Sequence, residues 1–187
     1  MKGRNVMKEK LLELQKQNKN ISIYCCEDNN KFIYGKLLSV NDYEFALLMY
    51  TPLGKFDGII VKRIEEITHI EYDGQYEQKM QKILSQNIDT KKYYIDDSLI
   101  TNSILELSLK LNKIVSIELL NSGYDNVVGF VDEIYNNKCT IKLVDEYGYD
   151  DGYSCIIISD ITQIVLDSER ESLFLKLWQI NKNSTTN

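Results

Sequence analysis

The stretch ISIYCCEDNNKFIYGKLLSV, residues 21–40, reads without a gap against VSIELLNSGYDNVVGFVDEI, residues 115–134. Carried outward at the same 94-residue offset, residues 21–84 align with 115–178, and 13 of these 64 pairs are identical. Composition alone would give about four. The identities include Ser22/Ser116, Gly35/Gly129, Gly54/Gly148, Asp57/Asp151, Gly58/Gly152, Asp73/Asp167 and Glu77/Glu171. Asn18/Asn112 and Lys19/Lys113 extend the match upstream. Glycines that recur at turns, and isoleucines that alternate with polar residues, read as a structural duplication. Two domains are expected, over residues 1–94 and 95–187, with a disordered tail from about 181 (NKNSTTN).

Each half reads as helix, five short strands, helix. Met7, Leu11 and Leu14 recur at helical spacing; Ile100, Ile104, Leu107 and Leu111 do so in the second half, behind an Asp97 or Ser98 cap. Ile21, Ile23 and Cys25 alternate as a strand does, matched by Val115, Ile117 and Leu119. Further strands carry Ile33-Gly35-Leu37 and Phe45-Leu47-Met49, matched by Val127-Gly129-Val131 and Cys139-Ile141-Leu143. A Gly-x-x-Asp-Gly loop follows (Gly54, Asp57, Gly58; Gly148, Asp151, Gly152), and its Asp-Gly step predicts a hairpin turn. The closing helices present Tyr76, Met80, Ile83 and Leu84, and Phe174, Leu177 and Trp178.

Five short, bent strands in about 55 residues close into a barrel more readily than they leave an open sheet, because closure removes exposed edges. The expected fold is therefore mainly β with flanking helices: two tandem five-stranded small barrels, each preceded and followed by a helix. This order resembles the Sm-like family of small barrels, whose outline is also SH3-like. Gly35-x-Leu37 and Gly129-x-Val131 resemble the glycine–hydrophobic start of that family's first motif. The resemblance implies either RNA or nucleotide binding, or assembly through barrel edges. Glu44-Phe45 and Lys138-Cys139 stand where RNA-binding members carry Met-Asn, and Lys62-Arg63 and Ile157-Ile158 stand where they carry Arg-Gly. Of the two implications, assembly is the expectation and RNA binding the alternative.

Charge supports that choice. The 187 residues hold 22 Lys+Arg and 28 Asp+Glu, net −6, whereas phosphate attraction supplies most non-specific nucleic-acid affinity. The excess is one-sided: residues 1–94 carry 15 basic and 13 acidic side chains, residues 95–187 carry 7 and 15. A mildly basic first half could thus meet an acidic second half within or between chains. Lys62-Arg63 and Lys91-Lys92 are too few for a nucleic-acid track and read as surface charge. No apolar run reaches the roughly 18 residues of a membrane span. MKGRNVMKEKLLELQ has no apolar signal core, so a cytoplasmic location with reduced thiols is expected. The abundance of Ile, Asn, Lys and Tyr suggests an AT-rich genome, such as that of a low-GC bacterium or its phage.

Catalysis finds no foothold. His69 is the single histidine and reads as a strand-rim residue; no nucleophile–base set, Walker loop or Rossmann fingerprint occurs. Cys25, Cys26, Cys139 and Cys155 form no CxxC pair, so no metal site and no cofactor are expected. The distinctive local feature is Asp145-Glu146-Tyr147-Gly148-Tyr149-Asp150-Asp151-Gly152-Tyr153, with four carboxylates and three tyrosines in nine residues. Its spacing does not fit an EF-hand. It reads as a solvated loop, as a patch that receives a cationic peptide or an arginine side chain through charge-assisted bonds and cation–π contact, or, last of the three, as a metal loop. The candidate binding residues are Asp145, Glu146, Tyr147, Tyr149, Asp150, Asp151 and Tyr153. The equivalent loop in the first half, TPLGKFDG over residues 51–58, is nearly neutral. The expected function is a non-enzymatic interaction or assembly module of accessory or regulatory type, with a protein partner or self-association. Leu173, Phe174, Leu177 and Trp178 on the last helix read as a core-packing stripe, with Leu173 and Trp178 as exposed partner anchors the alternative.

Overall fold

A computed structural model of the chain describes residues 2–26, 31–84, 93–120, 122 and 125–185. The chain divides into two compact units, Met1–Ile100 and Thr101–Asn187. The first contains α1 (Lys2–Lys16), β1 (Asn20–Cys25), β2 (Phe32–Val40), β3 (Glu44–Tyr50), β4 (Phe56–Arg63), β5 (Ile67–Glu71) and α2 (Gln75–Ile83). The second is built from α3 (Ile100–Leu111), β6 (Ile114–Leu119), β7 (Asp125–Tyr135), β8 (Lys138–Val144), β9 (Asp150–Ile157), β10 (Ile161–Leu166) and α4 (Glu169–Thr185). Mainly β with flanking helices is thus what forms. Helix α4 continues through residues 181–185, whose composition predicted a disordered tail.

The ten strands build open antiparallel sheet, and this corrects the expected pair of closed barrels. The order is β5-β1-β2-β3-β4 in the first unit and β10-β6-β7-β8-β9 in the second. Among the described residues no ladder joins β4 to β5, or β9 to β10, so neither set of five closes on itself. A single 3-10 turn, Ile64–Glu66 or Ile158–Asp160, carries each chain from the fourth strand to a fifth that pairs with the first. Bare edges need not vanish by closure. Here they are made polar instead: Thr68, His69 and Glu71 of β5 are exposed, and β9 begins with two aspartates. Polar, charged edges are an alternative protection against stray pairing.

Each sheet segment buries two faces. In the first unit Ile21, Ile23, Phe45, Leu47 and Ile59 are fully buried together with Leu11 and Leu14 of α1. Ser22, between Ile21 and Ile23, points the other way and is buried too, because α2 lies against β1. In the second unit Val115, Ile117, Cys139 and Ile141 are fully buried, as are Ile104 and Leu105 of α3. On the opposite side Ile114, Phe130 and Val144 pack with Phe174, Leu175 and Trp178 of α4.

The strands bend where glycine permits close approach. A Cβ on Gly35 would lie 2.1 Å from the Leu48 carbonyl oxygen, and one on Gly129 would lie 2.1 Å from that of Lys142. Any side chain there would push the neighbouring strand away. The Asp-Gly steps, predicted as hairpin turns, lie inside β4 and β9. The turns are residues 51–55 and 145–149, closed by Thr51 N–H to the Lys55 carbonyl and Asp145 N–H to the Tyr149 carbonyl. Asp151 and Gly152 stand opposite the single residue Leu143, with Gly152 at φ 77°: a bulge.

The helix termini are fixed by residues shared between the halves. Asn18 and Asn112 take positive φ (56° and 50°) after α1 and α3. The next N–H reaches back to a helix carbonyl, Lys19 to Leu14 and Lys113 to Ser108. Lys19 then pairs with Asp73, and Lys113 with Asp167 at 3.0 Å. Before α3, Asp96 accepts bonds from the backbone and hydroxyl of Ser98, while Asp97 binds the Ser39 hydroxyl. These bonds shape the turn that leads into α3.

Candidate docking edge

The turn between β8 and β9 is shaped by Asp145. Its carboxylate accepts hydrogen bonds from the Tyr147 and Tyr149 backbone N–H groups, at 3.0 and 2.7 Å. Gly148 adopts φ 81° and approaches α4 so closely that a Cβ would lie 2.6 Å from the Leu177 Cβ. Asn181 of α4 donates to the Tyr147 and Gly148 carbonyls, at 2.9 and 3.1 Å. The turn is thus held from within by one carboxylate and from behind by a helix.

Asp150, the first residue of β9, is held in the same way. It accepts from the Trp178 indole N–H at 2.7 Å and from Lys182 at 2.8 Å, and Lys142 of β8 lies 3.1 Å away. These partners, Lys182 foremost and then Trp178, hold its carboxyl well below the usual carboxylate range. The two lysines also lie over the Trp178 ring, at 5.5 and 5.7 Å from its centre, where the ring quadrupole attracts cations. Trp178 also packs on Phe130, ring centres 4.8 Å apart, as the core-packing reading of this stripe expects. Leu173 is exposed.

Of the seven candidate residues, then, Asp145 and Asp150 are engaged in holding the loop. The other five, Glu146, Tyr147, Tyr149, Asp151 and Tyr153, face solvent. The phenol of Tyr147 is raised above its ordinary value by a hydrogen bond to Glu146 and by that carboxylate's charge. Sequence reading missed Lys142, Asn181 and Lys182. Trp178 and Lys182 sit four residues apart, on one helix face, which could have marked a carboxylate partner.

The strand that follows continues the surface. Tyr153, Cys155 and Ile157 are exposed, Ser154 is half-buried and Ile156 is buried. Among the described residues β8 is its one sheet neighbour, and β9 stands at the end of the strand order. The equivalent residues of β4 differ: Ile59, Ile60, Val61 and Lys62 are all buried. Lys62, expected as surface charge, is instead buried and lies 3.1 Å from the half-buried Glu66. Lys91 and Lys92 lie outside the described residues.

Elsewhere, His69 is exposed and stacks on Tyr24, rings 3.9 Å apart and 14° from parallel. Among the described residues no group of three His, Cys, Asp or Glu side chains is placed to hold a metal ion, and no helix is long and apolar enough to cross a membrane. Comparison of the chain with protein-family models, curated proteins and solved structures finds no match.

Proposed function

We propose that this chain is a non-enzymatic, accessory or regulatory interaction module whose second unit docks a cationic segment of a partner protein. The observation that carries the reading is the division of labour in the 145–153 loop. Asp145 fixes its backbone from within and Asp150 ties it to α4, so Glu146, Asp151 and three tyrosines are presented outward from a rigid support. An arginine guanidinium suits this arrangement. It gives paired hydrogen bonds to a carboxylate and stacks on a phenol ring. The surplus of acidic over basic residues in 95–187 draws such a segment towards the correct half of the molecule.

In this reading the two units are copies of one module, kin to the Sm-like proteins, in which the second copy acquired the patch. A cytoplasmic setting suits it. The experiment is a calorimetric titration of the full chain with an arginine-bearing peptide and with its glutamate counterpart. Binding of the first alone, weakening as salt rises, supports the function; equal or absent heats for both would refute it.

A further inference from the structure

Strand β9 has an unusual edge. Natural edge strands are commonly guarded by lysine or proline, and DDGYSCII contains neither. Its polar guard is confined to one end, where Asp150 is bound to α4 and Asp151 is displaced by the bulge at Gly152. Beyond that point Tyr153, Cys155 and Ile157 are exposed in strict alternation, with Tyr153 at 65% and Ile157 at 48%. β8 pairs with the strand on one side. The other side offers a row of backbone donors and acceptors from Tyr153 to Ile157, flanked by apolar side chains and ending at Asp151.

We infer that an extended, arginine-bearing segment of a partner protein binds by adding itself as a strand along β9 at Tyr153–Ile157, with its cationic side chains reaching Asp151 and Glu146. This rests on the docking reading above and names the mode and the chemistry of the partner. Main-chain bonds along an open edge give affinity, and alternate side chains give specificity. Residues facing each other across neighbouring strands come within about 5 Å of one another, so an arginine of the added strand opposite Tyr153 meets the phenol at the end of the run where Asp151 lies. Charge favours this occupant over the β9 edge of a second copy, since that pairing would set one acidic unit against another; pairing with the β5 edge of a second copy is the outcome that the dimer measurement below detects.

The test uses a capped hexapeptide of alternating arginine and valine, and the same peptide N-methylated at the residues whose N–H groups would face the edge. N-methylation removes strand pairing and keeps every charge. Titrated against the full chain, the parent peptide binds at least about tenfold tighter than the methylated one, the loss of two or three main-chain bonds. The amide hydrogens of Tyr153–Ile157 exchange more slowly when it is bound. Equal affinity for both peptides would overturn strand addition while leaving the charged docking patch standing. Binding of neither would overturn both. A concentration-dependent dimer that protects these same amides without peptide would give the edge to a second copy and likewise refute the proposal.

Discussion

Ser116 donates its hydroxyl to Glu171 across 2.6 Å, and both residues are buried between β6 and the first turn of α4. The other carboxylate oxygen of Glu171 takes the backbone N–H and the hydroxyl of Ser168, which precedes the helix. The same arrangement occurs 94 residues earlier: Ser22 donates to Glu77, and Glu77 accepts the Gly74 N–H at 3.0 Å. A buried carboxylate is tolerated only when its lone pairs are filled, and here one side chain both ties the helix to the sheet and caps it.

Removing the serine should therefore cost more than an ordinary hydroxyl deletion. Ser116→Ala or Ser22→Ala leaves a buried carboxylate short of a donor, and a loss of about 1–3 kcal/mol is expected. Urea unfolding of each variant measures it. The double variant with Glu171→Ala should lose less than the sum of the single losses, since the two residues act as one unit.

Gly129→Ala places a methyl group where the Lys142 carbonyl oxygen now lies. Strand β8 must move, and overpacking of this kind costs about 1–3 kcal/mol. Gly35→Ala should behave alike against Leu48. Gly152→Ala is a different case, because a Cβ there meets open space and the cost comes from its φ of 77° alone. Thermal melts of the three variants should rank Gly152→Ala as the mildest.

Asp150 gives stability a dependence on acidity. Its folded carboxyl is depressed by Lys182, Trp178 and Lys142. The contribution is thus present in full above the unfolded value near pH 4 and is lost as pH falls through the depressed folded value. Asp150→Asn keeps the shape and removes the charge. The stability difference between wild type and Asp150→Asn should be constant from pH 7 to about pH 5 and shrink below about pH 4. Urea midpoints across that range check it.

The double substitution Glu146→Lys with Asp151→Lys reverses the charge of the outward side chains without touching the bonds that hold the loop. Affinity for an arginine-bearing peptide should fall at least about tenfold, and stability should stay within about 0.5 kcal/mol. Calorimetry and urea unfolding on the same samples report the two quantities. Unaltered affinity would dismiss the patch.

The sequence shows its architecture most clearly where backbone geometry leaves no choice. Asn18/Asn112, Asp73/Asp167 and Gly54/Gly148 are identical between the halves, and all six adopt positive φ. Gly35/Gly129 and Ser22/Ser116 are identical because a strand crossing and a buried carboxylate demand them. Closure, by contrast, was not legible. It depends on which neighbour the fifth strand selects after Ile64–Glu66, and that choice is made by contacts distant in sequence. The acidic loop was visible as composition, but the roles within it were not. Asp150 and Asp151 are adjacent and chemically identical. Only the approach of Trp178 and Lys182, 28 and 32 residues later, makes one a strut and the other a free charge.

The bracing of the turn by Asp145, Asn181 and Asp150 separates what holds it from what it shows. Glu146 and the side chains of Tyr147 and Tyr149 contribute nothing to those anchoring bonds, which run through the backbone of the tip. The tip is therefore interchangeable: a foreign recognition sequence written over these three positions, with Gly148 retained, inherits a ready-made pedestal and turns the second unit into a display platform.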